Sequence, residues 1–230
     1  MIISVHMPKT GGASFGAALS QRFGDKFLRD YSDYPVNTAP YERNKSAMQS
    51  CLRNLERDYG GIVCIHGHFL PIKYLLLSQV RNVRFVTWMR DPMQRLLSHY
   101  CYWKKNYHPE KALPLHKRVV EEDWSLERFC LASELRNLYS QFLFGFPLEY
   151  FCFVGITEYY EEDFRFFSSS FLKQDSEPVR LNVSNTSGNY NIDESLEYEV
   201  QRFHSEDIEL YQRALKKRME RYACCPSASE

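Results

Sequence analysis

The first six residues, Met-Ile-Ile-Ser-Val-His, form a short apolar, β-rich run that stops at Pro8, and apolar side chains then recur at helical spacing from residue 13 to 23, before Gly24. This pattern predicts strand, loop, helix. A polar stretch with Tyr and Pro extends to about residue 42, and a helix is predicted from Lys45 to Tyr59, closed by Gly60 and Gly61. Residues 62 to 66 (Ile-Val-Cys-Ile-His) are continuously apolar, as a parallel strand covered on both faces should be. Residues 83 to 89 predict another strand, after which Pro92 fits the first turn of a helix running through Tyr100. Beyond a loop with Pro and His at 107 to 122, residues 124 to 144 read as helical with a break near Ala132-Ser133. A fourth strand is expected at 151 to 156 and a helix from Glu158 to about Leu172. Residues 173 to 192 form a long Ser/Asn/Gly-rich loop, and two helices capped by Asp193 and Ser205 complete the chain. In the last of them acids come early and bases late, as the helix dipole prefers.

Strands alternating with helices predict an α/β fold, a three-layer sandwich with a central parallel sheet flanked by helices. With 230 residues, no internal repeat and no interdomain linker, one domain over 1 to 230 is expected. Hydrophobic residues at 44% and charged residues at 25% exclude collagenous, disordered and low-complexity chains. Lys plus Arg equals Asp plus Glu at 29 each, so no global field favours nucleic acid or an anionic membrane, and any anion site must be built locally. The aromatic content of 15% is high, and a thick core is its simplest use. Seven cysteines without a C-x-x-C pair give neither a disulfide framework nor a zinc spacing, which points to reduced thiols. No signal-peptide pattern opens the chain and no apolar run approaches the roughly 20 residues that span a bilayer. A cytoplasmic address is the expectation, under which the sequons at Asn182 and Asn185 are chance.

Three segments carry candidate chemistry. The first, His6-Met-Pro-Lys-Thr-Gly-Gly-Ala-Ser-Phe15, joins the first strand to the first helix, where a turn aims backbone N–H groups and a helix N-terminus at an anion. Gly11 and Gly12 allow close backbone approach, Lys9 supplies a charge, and Thr10 and Ser14 supply hydroxyls. The order is not Walker A, because Lys9 precedes the glycines. A solvated lysine on a tight turn is the plain alternative. The second segment, His66-Gly67-His68, puts two imidazoles at the carboxyl edge of a buried strand, where open α/β sheets bind ligands. Acid–base or positioning work, a structural pair and a metal site are all open for them, although no third metal ligand is evident. The third, Phe85 to Ser98, brings Arg90 to the same edge with Ser98 on the following helix. Asp91 reads as the cap of that helix and Arg95 as a charge on its surface.

Together these segments resemble the sulfotransferases that use 3′-phosphoadenosine 5′-phosphosulfate (PAPS), and most closely the branch containing heparan sulfate 2-O-sulfotransferase. That family's P-K-T-x-x-x-S-F is matched by Pro8 to Phe15, its R-D-P-x-x-R-L-x-S by Arg90 to Ser98, and the branch's H-G-H and V-G-V-T-E by His66 to His68 and Val154 to Glu158. The resemblance extends over roughly residues 4 to 172. It implies a P-loop-like sandwich in which Lys9, Thr10, Gly11, Gly12, Ala13, Ser14 and Phe15 hold the 5′-phosphosulfate, while Arg90 and Ser98 hold the 3′-phosphate. Arg180, Ser184 and Thr186 are candidates in the loop that the family folds over the nucleotide. The implied reaction is transfer of a sulfuryl group from PAPS to a hydroxyl or amine of a glycan, lipid or small molecule, with 3′-phosphoadenosine 5′-phosphate (PAP) as product. Lys9, His66 and His68 would act in it, and no metal is required. The chain departs from the 2-O-sulfotransferase pattern at Gly11-Gly12-Ala13, where that branch has Ala-Ser-Thr, so more contact falls on backbone N–H groups. The expectation is of a chain without the Golgi enzymes' anchor and stem, and acceptor choice does not carry over. Trp103, Lys104 and Lys105 either line an acceptor cleft or cover the core. A small P-loop kinase using MgATP, a non-catalytic module for nucleotides or anions, and a metal hydrolase built on the two histidines are the rival readings.

Overall fold

Apolar runs of four to six residues, separated by helices, leave each strand only one way to bury both its faces, which is to lie between two helical layers. The computed structural model describes residues 1–33, 36–174, 178 and 192–223. Five strands, β1 (Ile2–Val5), β2 (Phe27–Arg29), β3 (Cys64–Gly67), β4 (Arg84–Met89) and β5 (Phe151–Ile156), form one all-parallel sheet in the order β2-β3-β1-β4-β5. The chain crosses from β3 to β4 over the central β1, so the carboxyl ends of β3, β1 and β4 stand side by side at the point where open sheets bind ligands.

Alternation along each strand divides the core. Ile3, Val5, Ile65, Phe85 and Met89 point into one layer with Tyr74, Leu77, Leu138 and Phe142. Ile2, Cys64, Val86 and Trp88 point into the other with Phe15, Leu19, Phe164 and Phe167. The first layer contains the 3₁₀ turns of Pro71–Gln79, helix α6 (Leu138–Phe142) and helix α9 (Ser205–Ala223); the second contains α1 (Gly12–Phe23) and α7 (Tyr160–Phe167). A third cluster joins α3 (Pro92–Lys105), α4 (Pro114–Glu121), α5 (Leu126–Cys130) and α8 (Glu194–Phe203) through Leu96, Trp103, Val119, Phe129 and Val200.

Several expectations are corrected. β2 falls inside the stretch read as a loop; three residues at a sheet edge are too few to show a period. Helix α2 spans Pro40–Glu56 rather than 45 to 59, because Pro40 opens it and the Tyr41 and Glu42 that follow are exposed and show no apolar period. Helix α4 lies within the expected 107 to 122 loop, started by Pro114 and anchored by buried Leu115 and Val119. Arg95 is not on the surface: it is wholly buried, 3.7 Å from Asp207, whose other carboxylate oxygen accepts from the Tyr139 and Ser140 N–H groups at the start of α6. Trp103 is core, edge-on to His99 and Phe129, and Lys104 pairs with Asp123, so this stretch covers the interior. The cap at Asp193 is as expected, accepting from Leu196 N at 2.7 Å. Cys51, Cys64, Cys101, Cys130 and Cys152 are free thiols. Among the described residues no helix is long and apolar enough to cross a membrane.

Candidate functional site

The loop after β1 is held in an unusual backbone shape. Lys9 has φ +67° and Gly11 φ +79°, so the turn enters the left-handed region twice. Gly11 does so freely, whereas for Lys9 it costs about 1–2 kcal/mol, which the surroundings must outweigh. They do so through two hydroxyls: Thr10 Oγ1 donates to the Met7 carbonyl at 2.9 Å, and the single Thr157 hydroxyl is shared between the Thr10 and Met89 carbonyl oxygens, each 3.0 Å from Oγ1. Thr157 therefore joins the loop after β1 to the end of β4. Helix α1 then begins with Gly11 at its N-cap, no side chain capping it and no acidic residue in its first turn, leaving its positive end uncompensated. Gly12 and Ser14 are buried there and Ala13 is exposed. Phe15 turns away from the loop into the core, 4.9 Å from Phe167 and 5.4 Å from Trp88 between ring centres.

Lys9 Nζ sits 3.9 Å above the Tyr102 ring. Burial and then the nearby Arg90 guanidinium bring its pKa down to about 8, which puts the two cations in one electrostatic neighbourhood. Neither forms an ion pair with a described residue. Arg90 directly follows β4, with its backbone clamped by Tyr139, whose hydroxyl accepts from Arg90 N at 3.0 Å and donates to Arg90 O at 2.6 Å. Asp91 caps α3 by accepting from Gln94 N at 2.9 Å, and its own N–H donates to Glu158 at 2.9 Å. Ser98, two turns along α3, is buried.

The histidines differ sharply. His66 is 2% exposed, its Nδ1 is 2.8 Å from Ser4 Oγ, and burial followed by the charge of His68 pushes its pKa down to about 3. His68 lies just beyond the end of β3, partly exposed, so the two rings do not share a strand face as an H-x-H on continuing β-structure would. Its Nδ1 is hydrogen-bonded to the His6 backbone oxygen. A carbonyl only accepts, so Nδ1 carries the proton and Nε2 keeps its lone pair. Burial lowers the His68 pKa and the bond to His6 partly offsets that.

Sequence reasoning missed the group between them. The His6 ring is stacked on His68 at 4.3 Å and 28° and on His66 at 5.2 Å and 20°. Tyr31, which follows β2, is edge-on to His68 at 4.9 Å and 89°, with its hydroxyl 3.3 Å from His6 Nδ1. The strand register contained a signal for His6: it directly follows β1, in which Ser4 pairs with His66 across the sheet. Tyr31 had none while β2 was unseen. Helix α1 approaches this stack closely, since a Cβ on Gly12 would fall 1.9 Å from His6 Cδ2 and one on Gly16 2.4 Å from His66 Nε2. Among the described residues no group of three His, Cys, Asp or Glu side chains is placed to hold a metal ion. Arg180, Ser184 and Thr186 lie outside the described residues.

No protein-family model and no curated protein matches the chain. Among solved structures it is similar to a sulfotransferase from Alicyclobacillus acidocaldarius, with 14% identity, a TM-score of 0.45, and coverage of 91% of this chain and 92% of that one. It is also similar to the mouse sulfotransferase SULT7A1 complexed with PAP, with 15% identity, a TM-score of 0.37, and coverage of 89% and 64%. Overlap this loose carries no functional inference, which must come from the side chains at the sheet edge.

Proposed function

We propose that the chain is a PAPS-dependent sulfotransferase, of the type found in the 2-O-sulfotransferase branch, acting on a hydroxyl or amine of a glycan, lipid or small-molecule acceptor. The observation that carries this reading is the meeting of Lys9, Arg90 and His68 at the carboxyl ends of three adjacent parallel strands, beside an uncapped helix N-terminus. The residues fit a doubly phosphorylated donor: two cations without ion pairs among the described residues, and a glycine turn that a side chain would strain. When bound, PAPS supplies an activated sulfuryl group on a phosphate leaving group.

Each residue then has a separate task. The first N–H groups of α1 and Lys9 bind the 5′ end, and Lys9 stabilises the negative charge left there as the bridging bond breaks. Arg90, with Ser98 behind it, binds the 3′-phosphate as a planar fork. His68 Nε2 takes the acceptor's proton, since its lone pair is available and its ring reaches the rim. His66 is the poorer base: buried, held by Ser4 and walled off by α1, it supports the stack. Thr10 spends its hydroxyl inside the loop and helps binding by holding the turn. No metal enters these steps, because fixed cations and helix N–H groups meet the charge.

A thermal-shift panel of PAP, PAPS and MgATP tests the assignment. PAP and PAPS should stabilise the protein, by about 2.7 kcal/mol at 100 times the dissociation constant, while MgATP leaves it unmoved. Stabilisation by MgATP alone would favour the kinase reading and overturn this one.

A further inference from the structure

The base needs a fixed aim, and β3 does not provide it. The strand ends at Gly67; beyond it Asp33 N donates to the His68 carbonyl at 3.2 Å, which holds the backbone but not the ring. One hydrogen bond, from Nδ1 to the His6 carbonyl, fixes a point on the ring but leaves its plane able to turn about that bond. Two flat surfaces remove this freedom. The His6 ring lies against the face of His68 at 4.3 Å, and Tyr31 stands perpendicular to it at 4.9 Å. His6 is itself boxed in: His66 is stacked with it at 5.2 Å, Gly12 leaves no room for even a methyl group beside it, and the Tyr31 hydroxyl lies 3.3 Å from its Nδ1.

We propose that His6 and Tyr31 are positioning residues for sulfuryl transfer, His6 serving as the plate that sets the plane of His68 and Tyr31 pinning that plate through its hydroxyl. The proposal rests on His68 being the base. His6 suits the task because it stays uncharged: burial, then His68, His66 and Lys9, all disfavour a proton on it. A neutral ring lets His68 ionise beside it, and its π face attracts the imidazolium that forms as the acceptor loses its proton. Tyr31 is 38% exposed, so the pin sits at the rim where an acceptor approaches.

The test compares the wild-type chain of 230 residues with His6→Ala, Tyr31→Phe and the double variant. His6→Ala keeps the backbone carbonyl and removes the plate; Tyr31→Phe keeps both rings and removes the pin. NMR of the His68 ring, its nitrogens for the tautomer and its carbon-bound protons for NOEs to neighbouring side chains, reads the ring without any substrate. The Nδ1–H form is expected throughout, since every variant keeps the His6 carbonyl; the wild type should show one sharp set of ring NOEs, including those to Tyr31, His6→Ala averaged and weakened ones, and Tyr31→Phe an intermediate pattern. Transfer from labelled PAPS to a desulfated glycosaminoglycan probe reads the consequence: kcat falling about ten- to a hundredfold in His6→Ala with the KM for PAPS within about twofold, since a misplacement near 1 Å costs up to about 10². The double variant should be no slower than His6→Ala, because Tyr31 acts through His6. His68 ring NOEs that are the same in every variant overturn the proposal, as do additive losses or an unchanged kcat. If His6→Ala does not fold, Tyr31→Phe decides alone, with unchanged ring NOEs and kcat counting against the proposal. A wild type that neither binds PAP nor transfers from PAPS removes the functional reading, and the NOE data then still decide whether His6 and Tyr31 fix the plane of His68.

Discussion

His68 keeps a lone pair on Nε2 only because a backbone oxygen holds the proton on the other nitrogen, so its chemistry depends on main-chain geometry as much as on the ring. Replacing it should cost about 10² to 10⁴ in kcat while leaving PAP affinity within a few-fold, read by steady-state kinetics and PAP titration; a His68→Ala enzyme with full turnover would remove it from the reaction. Lys9 makes a complementary prediction through pH. Its free-protein pKa of about 8 means that above this value an anionic donor meets an uncharged amine, so PAP affinity should fall with rising pH, approaching tenfold per unit. Arg90→Ala should weaken PAP binding at every pH and also move that alkaline limb upward, since removing the neighbouring cation lets Lys9 hold its proton longer. A limb that stays in place would mean that the two cations do not sense each other. At this scale Lys9, Arg90 and the two histidines were legible because motif spacing carries them. His6, Tyr31 and the buried state of Arg95 were not, since each depends on what another element brings against it.

Among the elements, α1 does two things at once: it presents an uncapped positive end and packs against the histidine stack. Gly16 permits the second, and the motif alone gave no reason for a glycine there. Gly16→Ala places a methyl group 2.4 Å from His66 Nε2, in a ring that Ser4 and its neighbours prevent from moving aside. The expected loss is about 1–3 kcal/mol in chemical denaturation, with a larger fractional loss of turnover than of PAP binding. Equal stability in the variant and the wild type would show that α1 can shift outward at no cost. The long strands and helices were readable from periodicity because each repeats its pattern several times. β2 and α4 were not: one is three residues long, and the other sits where Pro and His signal a loop until the buried Leu115 and Val119 are seen together.

For the molecule as a whole, acid is the expected weakness. Burial holds His66 to about 3 and His204 to about 4, and it also depresses His6 and His99, whereas the unfolded chain protonates histidine near pH 6.5. Between those values the unfolded state binds more protons, so stability rises with pH through this window and is lost as pH falls below about 6.5. Asp207, raised to about 6 by burial, works in the opposite direction between 3.8 and 6, and so does Asp33, also raised by burial, but these are two groups against five, since His68 is depressed as well. Urea unfolding at pH 7.5 and pH 5 should show the lower stability at pH 5, and His99→Phe should flatten the difference; a flat profile in the wild type would contradict the buried neutral histidines. The sandwich itself was legible from alternation, but the approach of α9 to α3 and α6 was not, because Arg95 and Asp207 are 112 positions apart and look like ordinary surface charges.

Thr157 brings no charge to either proposed phosphate position, yet its single hydroxyl spans the carbonyls of Thr10 and Met89 and so works as a caliper. The gap between the turn that carries Lys9 and the strand end that carries Arg90 is thereby set by the protein's own framework before any guest arrives. Such a ruler selects by length: a molecule with an anionic group at only one end, or with its two ends too close together, engages one jaw and leaves the other empty.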